Sequence, residues 1–562
     1  MPTLHKYDWI FALITIFFCC SAFGNGANDV ANSYATSVAA RTLTMVQVGF
    51  LAACTEFIGA VALGSRVTKT IKSGIIDITR FNGKPGALML VMSCTEFGSA
   101  CWLFIATRIG FPVSTTQTVI GALVGAGFAS QTHVQWGWKS GSISQTAASW
   151  GIAPCISAGF AAVIYLTIKY LVLERSDPLA WGMRLIPFYL ALTGAILALF
   201  IVIEAPNAPS LEKFGAGKAV GIILGVFFGC LLVAIVFFMP YFHRRLVRKD
   251  ARLRAYHVVL GPLLLREDAP LFLPGNPKEG YIRDYYAKDT VPELNKTESA
   301  ETEASTPGPS PDIKPISSDP EKATTHTIPT RHIPQTPEER YLGPTAKLPM
   351  TNPRRLWAYV KYFVMRGISQ DCVTYNEDQL AELHSRAKVY SSDVEHLWTY
   401  PQMASAMMMS IAHGSNDVSN AVGPWSATYM TWRTSTVSKE SDVPVWMLVV
   451  AGLLIGIGFW FYGYHIIRQL GNKLTQMSPT RGFSMELGAA ITVLMASRLS
   501  LPVSTTQCLT GAAVGVALMN FDARALNWKA TVWIFLGWIL TLPCAGLISG
   551  LLTLMALNTP HL

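Results

Sequence analysis

Apolar runs long enough to cross a bilayer dominate this chain, and the few polar residues inside them recur in fixed phrases. Runs near or above the roughly 20 residues that a spanning helix needs predict segments at 9–38, 46–65, 87–109, 112–131, 145–173, 185–204 and 216–239. After a long polar gap the pattern resumes at 403–430, 445–466, 484–500, 502–520 and 530–556. The expected fold is an all-α polytopic membrane protein with about 12 transmembrane segments. The first segment is expected to stay in the protein rather than be cleaved as a signal, because its polar tail recurs deep in the chain.

Within these runs one unit occurs twice. "TEFGSACWLFIATRIGFPVSTTQ" aligns without gaps to "MELGAAITVLMASRLSLPVSTTQ", with Pro112 and Pro502 standing 390 residues apart. "GANDVAN" from Gly26 and "HGSNDVSN" from His413 place Asp29 and Asp417 388 residues apart. Pro154-Cys155 and Pro543-Cys544 follow at an offset of 389. Seven candidate segments separate the start of one copy from the start of the other, and an odd number of crossings inverts the second copy. If the stretch around each "PVSTTQ" is a re-entrant hairpin, two crossings vanish and the parity survives. The organisation expected is a first inverted repeat (1–175), two linking transmembrane helices (176–240), a cytoplasmic loop (241–400) and a second repeat (401–562). Inverted repeats are the architecture of many secondary transporters, with the ligand held between the copies near the midplane.

Composition agrees with a membrane protein. The 562 residues are 51% hydrophobic and only 14% charged, where soluble domains carry about 25% charged residues. The net charge of +9 does not indicate nucleic acid, because its clearest cluster, "HRRLVRKDARLRAYH", follows a span directly. That is the positive-inside signal. It places the long loop in the cytoplasm and both termini outside, with acidic lipid head groups as a further partner of the cluster. The loop from about 266 to 400 is rich in Pro, Ser, Thr and Glu and is expected to be largely disordered. Thr306, Ser310 and Thr336 each precede Pro, so kinases are candidate partners. "RRLWAYVKYFVMRGI" has the apolar-basic mixture of a helix lying on the membrane surface; a helix packed on the protein would carry the same pattern. Nine of the ten cysteines fall in expected spans, Cys372 alone outside, which suits apolar packing rather than disulfides or a metal.

The two phrases carry the chemistry. Irregular or polar sequence at membrane depth must line a protein-enclosed cavity. The glycines around Gly24 and Gly26 predict a broken helix, its second half starting near Asn28. Asn28 and Asn32 would share a face with Asp29 beside them, and Asn416, Asp417 and Asn420 would be the related set. Amide and carboxylate oxygens suit a small cation; polar contact between helices is the plainer alternative. In "PVSTTQ", Pro suits a first helical turn, and Ser114, Thr115 and Thr116 add hydroxyls beside unpaired backbone N–H groups. Such a helix start is an anion site without a cationic side chain. With Ser504, Thr505 and Thr506 it would clamp a tetrahedral oxyanion from two sides. Gln117 and Gln507 could serve either anion or cation. Glu56, Glu96 and Glu486 lie in spans and are functional by default. Glu96 and Glu486 are repeat mates, whereas Glu56 has apolar Val445 near its counterpart position. Arg108 and Arg498 near helix ends suit snorkelling to an interface.

"GANDVANSYATS", "HGSNDVSNAVGP", the paired "PVSTTQ" and "GSRVTKTIKSGIID" resemble the inorganic phosphate transporter (PiT) family, in particular its fungal branch. The resemblance implies phosphate symport driven by sodium, with phosphate contacts from Ser114 to Thr116 and Ser504 to Thr506. It also implies cation handling by Asn28, Asp29, Asn416 and Asp417, and transport-critical roles for Glu56 and Glu486. Asn32, Asn420, Gln117 and Gln507 complete the expected sodium-binding set. The chain departs from the family pattern at Ser21-Ala22-Phe23-Gly24, where relatives often carry an acidic residue and an Asn, and at Gln117, often His. No cofactor beyond the coupling ion is expected, the host membrane is expected to be the plasma membrane, and a homo-oligomer is compatible with the reading. Neither nucleophile–base pair, metal cluster nor P-loop suggests an enzyme. The alternatives are proton-coupled phosphate transport, sulfate transport, or a phosphate sensor with residual transport.

Overall fold

The computed structural model describes residues 3–559 except 65–67, 69–70, 72–73, 139–141, 205–214, 277–279, 287–334, 374–377, 439–441 and 500. Its first half contains α1 (Asp8–Asn25), a π-helical turn (Gly26–Val30), α2 (Ala31–Ala39), α3 (Met45–Leu63), α4 (Pro85–Arg108), α5 (Thr115–Ala129) and α6 (Ile143–Ile168). Then come α7 (Pro178–Glu204), α8 (Ala216–Val233) and α9 (Met239–Phe242). The central region gives α10 (Pro337–Tyr341), α11 (Pro353–Met365), α12 (Asp378–Arg386) and α13 (Ser392–Leu397). The second half contains α14 (Thr399–Thr434), α15 (Val445–Tyr462), α16 (Tyr464–Leu474), α17 (Pro479–Arg498), α18 (Thr505–Leu518) and α19 (Trp528–Asn558).

Among the described residues, eight helical stretches are long and apolar enough to cross a membrane. α14, with 36 residues, and α17, with 20, are long as well, but they are studded with Ser and Thr and buried on most sides. The protein core itself supplies their apolar surroundings. α5 and α18 have only 15 and 14 residues, about 22 Å at 1.5 Å per residue, short of the ~30 Å hydrocarbon core. Neither is long enough to span. α5 packs on α19 and α18 on α6, so each half lends its short helix to the long final helix of the other.

The expected helix break near Asn28 does not occur. Helical backbone runs from Asp8 through the π turn to Ala39, and α14 is continuous through His413–Asn420. The glycines serve close approach instead. A Cβ on Gly26 would stand 1.8 Å from the Ile455 carbonyl oxygen, and one on Gly458 would stand 2.0 Å from that of Phe23. α15 therefore lies directly on the π turn. Because the obstacle is backbone, Gly26→Val should destabilise the protein by roughly 2–3 kcal/mol. Thermal unfolding in detergent checks this, and an unchanged midpoint would show that the helices can part freely.

The central region also departs from the expected disorder, since α10 to α13 form within 335–373 and 378–400. Tyr286 Oη donates to Glu395 Oε1 at 2.6 Å, and Tyr285 Oη pairs with His396 Nδ1 at 2.6 Å. Glu395, fully buried, also accepts from the N–H and hydroxyl of Thr480 at 2.9 and 3.0 Å. The chain entering the linker and the chain leaving it are thus stitched at one point, above the start of α17. Burial pushes the His396 imidazole down to about 3, so the ring is held neutral. Of the basic cluster after α9, Arg244 is consumed internally: it pairs with Asp250 at 3.0 Å and donates to the Leu264, Arg266 and Glu267 carbonyls. Thr336 caps α10, while Thr306 and Ser310 lie outside the described residues.

Candidate functional site

The site begins with two extended segments that precede short helices. Phe111–Ser114 is non-helical, Ser114 is the N-cap of α5, and its hydroxyl accepts from Gln117 N at 3.1 Å. Ser504 does the same for α18, accepting from Gln507 N at 3.2 Å. Proline therefore stands two residues before the cap, at Pro112 and Pro502, rather than in the first turn. It keeps the preceding chain extended, which leaves peptide groups open to side chains from the facing helix.

Asn28 and Asn416 meet those peptides. Asn28 Nδ2 donates to the Phe111 carbonyl at 2.9 Å and to Thr107 Oγ1 at 3.0 Å, while its Oδ1 accepts from Val113 N at 3.1 Å. Asn416 Nδ2 donates to the Val503 carbonyl at 2.8 Å. Side chains thereby pair with peptide groups that the extended segments leave open.

The aspartates then collect hydroxyls from both halves. Asp29 Oδ2 accepts from Thr115 N at 3.1 Å and Thr115 Oγ1 at 2.6 Å; its Oδ1 accepts from Thr506 Oγ1 at 2.9 Å. Asp417 Oδ2 accepts from Thr505 Oγ1 at 2.8 Å, and its Oδ1 from Thr116 Oγ1 at 3.0 Å. Each carboxylate holds one threonine of its own half and one of the other. Asn32 Nδ2 donates to Thr506 Oγ1 at 2.5 Å, and Asn420 Nδ2 to Thr115 Oγ1 at 2.9 Å and Thr116 Oγ1 at 3.2 Å. All of these residues are at most 4% exposed. The two N-D phrases and the two S-T-T phrases, far apart in sequence, form one buried cluster.

Two features of this cluster favour a cation. Asp29, Asp417 and His413 each place a ligand atom within 4.8 Å of the others. Two carboxylates at that spacing repel by roughly 3–4 kcal/mol at an effective dielectric of about 20. Among the described residues, the buried side-chain atoms without a hydrogen-bond partner here include Asn32 Oδ1, Asn420 Oδ1, Asn416 Oδ1, Gln117 Oε1 and Gln507 Oε1. All five are oxygens, so what they want is a donor or a small hard cation. Asn28 Oδ1 is satisfied and Asn416 Oδ1 is not, so the two halves differ in available ligands. Of the first-turn N–H groups, those of Thr115, Gln117 and Gln507 are already engaged, so the donors suited to an anion are the N–H groups of Thr116, Thr505 and Thr506 and the Ser114 and Ser504 hydroxyl protons.

The glutamates divide. Glu486 Oε1 accepts from Thr36 and Ser37 hydroxyls, both at 2.6 Å, and its Oε2 accepts from Ser405 Oγ at 2.6 Å. Thr36 lies one helical turn beyond Asn32, so this carboxylate neighbours the central cluster. Its repeat mate Glu96 is buried apart from these hydroxyls, with Ser21 as its polar neighbour. Glu56 accepts from Ser410 Oγ at 2.5 Å and faces His413 Nδ1 at 2.7 Å. His413 Nε2 in turn stands 3.1 Å from Asp417 Oδ2. Glu56 thus reaches the cluster through His413, a residue to which the sequence alone assigns no role. The signal was present: His413 precedes Asp417 by four residues, on one face of a helix. Arg108 and Arg498 are exposed at helix ends and take no part in the cluster.

Comparisons with known proteins agree over nearly the whole chain. A family model described as the phosphate transporter family matches residues 25–549. The phosphate-repressible phosphate permease pho-4 of Neurospora crassa is 37% identical, with 99% of each chain covered. Sodium-dependent phosphate transporter 1 of Rattus norvegicus is 26% identical over 97% of this chain and 95% of its own. A solved structure titled the sodium-dependent phosphate transporter aligns with a TM-score of 0.64 and 23% identity. It covers 98% of this chain and 100% of its own, a likeness of fold.

Proposed function

The chain belongs to the phosphate transporter family, and from that premise we propose that it is a sodium-coupled phosphate symporter of the plasma membrane. It is a transporter, not an enzyme. The observation that carries the reading is the single buried cluster in which Asp29 and Asp417 share the hydroxyls of Thr115, Thr116, Thr505 and Thr506. Sodium ions take the carboxylates together with the unpaired oxygens of Asn32, Asn416, Asn420, Gln117 and Gln507. The threonine hydroxyls, released from the carboxylates, then turn to phosphate with Ser114, Ser504 and the first-turn N–H groups. An anion arriving first would meet two close carboxylates, so each ligand binds better with the other present.

In this reading the halves are inverted repeats, α5 and α18 are re-entrant, and the basic residues after α9 face the cytoplasm with both termini outside. The test is phosphate uptake into proteoliposomes under a sodium gradient and, separately, a proton gradient. Concentrative uptake with sodium alone is the expected result. Uptake driven only by protons would replace sodium as the coupling ion.

A further inference from the structure

We infer that α11 is seated in the cytoplasmic leaflet and that its basic rims select anionic lipid head groups; the leaflet assignment rests on the cytoplasmic placement of the loop proposed above. At 100° per residue, Ala358, Tyr362 and Met365 line one face of α11. Ala358 is 7% exposed, and Tyr362 Oη donates to Glu338 of α10. The opposite face carries Leu356, Trp357, Val360, Phe363 and Val364, with Leu356 63%, Trp357 58% and Phe363 60% exposed. A helix packed on the protein would turn this arc inward. Here the arc points away from the protein, so it needs a different apolar partner.

What covers it follows from where the arc leads. Trp460 Nε1, at the end of α15, donates to the Val364 carbonyl at 2.7 Å, and the Phe363 and Phe461 rings lie 5.6 Å apart. Trp460 also meets Phe50 of α3 edge-on at 5.1 Å, and Phe50 is itself 60% exposed. The apolar arc therefore continues the outward surface of two membrane helices without a polar gap. Lys361 and Arg354 flank one side of the arc, and Arg366 and Arg355 flank the other. Lys361 Nζ lies 5.8 Å from the Trp357 ring centroid, and Arg366 lies 5.8 Å from that of Phe363. Apolar bodies with cationic tips at their margins fit the head-group boundary, and the inner leaflet supplies the complementary negative charge.

The seat has a route to the transport site. Gly367 has no side chain where the Trp460 carbonyl passes, 2.2 Å from a built Cβ. The following Ile368–Val373 segment lines one pocket with Arg41, Leu43 and Thr44 of the turn after α2 and with Met45 and Val46 at the start of α3. α2 carries Asn32 and Thr36. A helix seated at the membrane thus leads into a segment that faces the end of α2 across that pocket.

The experiment places p-benzoylphenylalanine at Trp357 or Phe363 of the full-length protein, and at Ala358 as the packed-face control. Each is reconstituted in vesicles of phosphatidylcholine alone or with phosphatidylserine, irradiated and read by mass spectrometry. Lipid adducts at 357 and 363, absent at 358, are expected. Their yield should be several-fold higher with phosphatidylserine, and R354Q/K361Q should remove that preference. Adducts to the protein's own residues 287–334, or to a second copy, would overturn the lipid seat. Equal yields in both vesicles would overturn head-group selection. The adducts need no transport, so they can form while sodium-driven uptake fails, and the reverse.

Discussion

Asp29→Asn and Asp417→Asn are each expected to lower sodium-driven phosphate uptake at least about 100-fold while the protein still folds and reaches the membrane. Asn keeps the size but replaces one acceptor oxygen by a donor, which then faces a threonine hydroxyl that is itself donating. At Asp29 the affected bonds are those from Thr115 and Thr506; at Asp417 they are those from Thr505 and Thr116. The larger effect is the lost negative charge: a cation about 4 Å from a carboxylate gains roughly 4 kcal/mol at an effective dielectric of about 20, and a 100-fold loss needs only about 2.7 kcal/mol. Radiolabelled uptake, normalised to purified protein, is the measurement. Wild-type uptake by either variant would take that aspartate out of coupling.

The second large effect is expected at the Glu56–His413–Asp417 chain. Removing one partner of a buried, hydrogen-bonded pair costs about 3–5 kcal/mol, and His413 has a carboxylate on each side at 2.7 and 3.1 Å. Glu56→Ala should therefore lower stability by about that amount and abolish uptake. Glu56→Gln keeps an acceptor for Ser410 and should recover much of the stability without recovering transport. Thermal unfolding and uptake, measured on the same preparations, separate the two. If Glu56→Gln transports normally, Glu56 acts as a scaffold for His413 and the charge is dispensable.

Much of the site was legible because function duplicated its signal. An Asn or Thr alone in an apolar run says little, but N-D-V-x-N and P-V-S-T-T-Q each recur in order at nearly one offset. That repetition pointed to Asn28, Asp29, Asn416, Asp417 and the six hydroxyl residues, which the fold brings together. What it could not give was pairing. The threonines answer to the aspartates in the structure, and nothing in either phrase states that Thr506 reaches Asp29 across the halves. His413 escaped because its mate by offset is Asn25, so duplication was silent there. The helix break at Gly26 was read from glycine's backbone freedom, whereas the residue is small because Ile455 passes beside it. Central disorder was read from composition averaged over 266–400, which hid α10 to α13. Those short helices draw on contacts with the membrane domain, such as Glu395 with Thr480, which local composition does not register.

The stitch between Tyr285–Tyr286 and Glu395–His396 bears on how this chain can change length over evolution. Chain added between two points that are already joined pays only the loop-closure term, about 0.6 kcal/mol for each doubling. That is less than one hydrogen bond to a buried carboxylate such as Glu395 contributes. Lengthening the chain between Tyr286 and Glu395 therefore costs less than losing the knot's hydrogen bonds. The transport domain is thereby insulated from changes in the length of that connection.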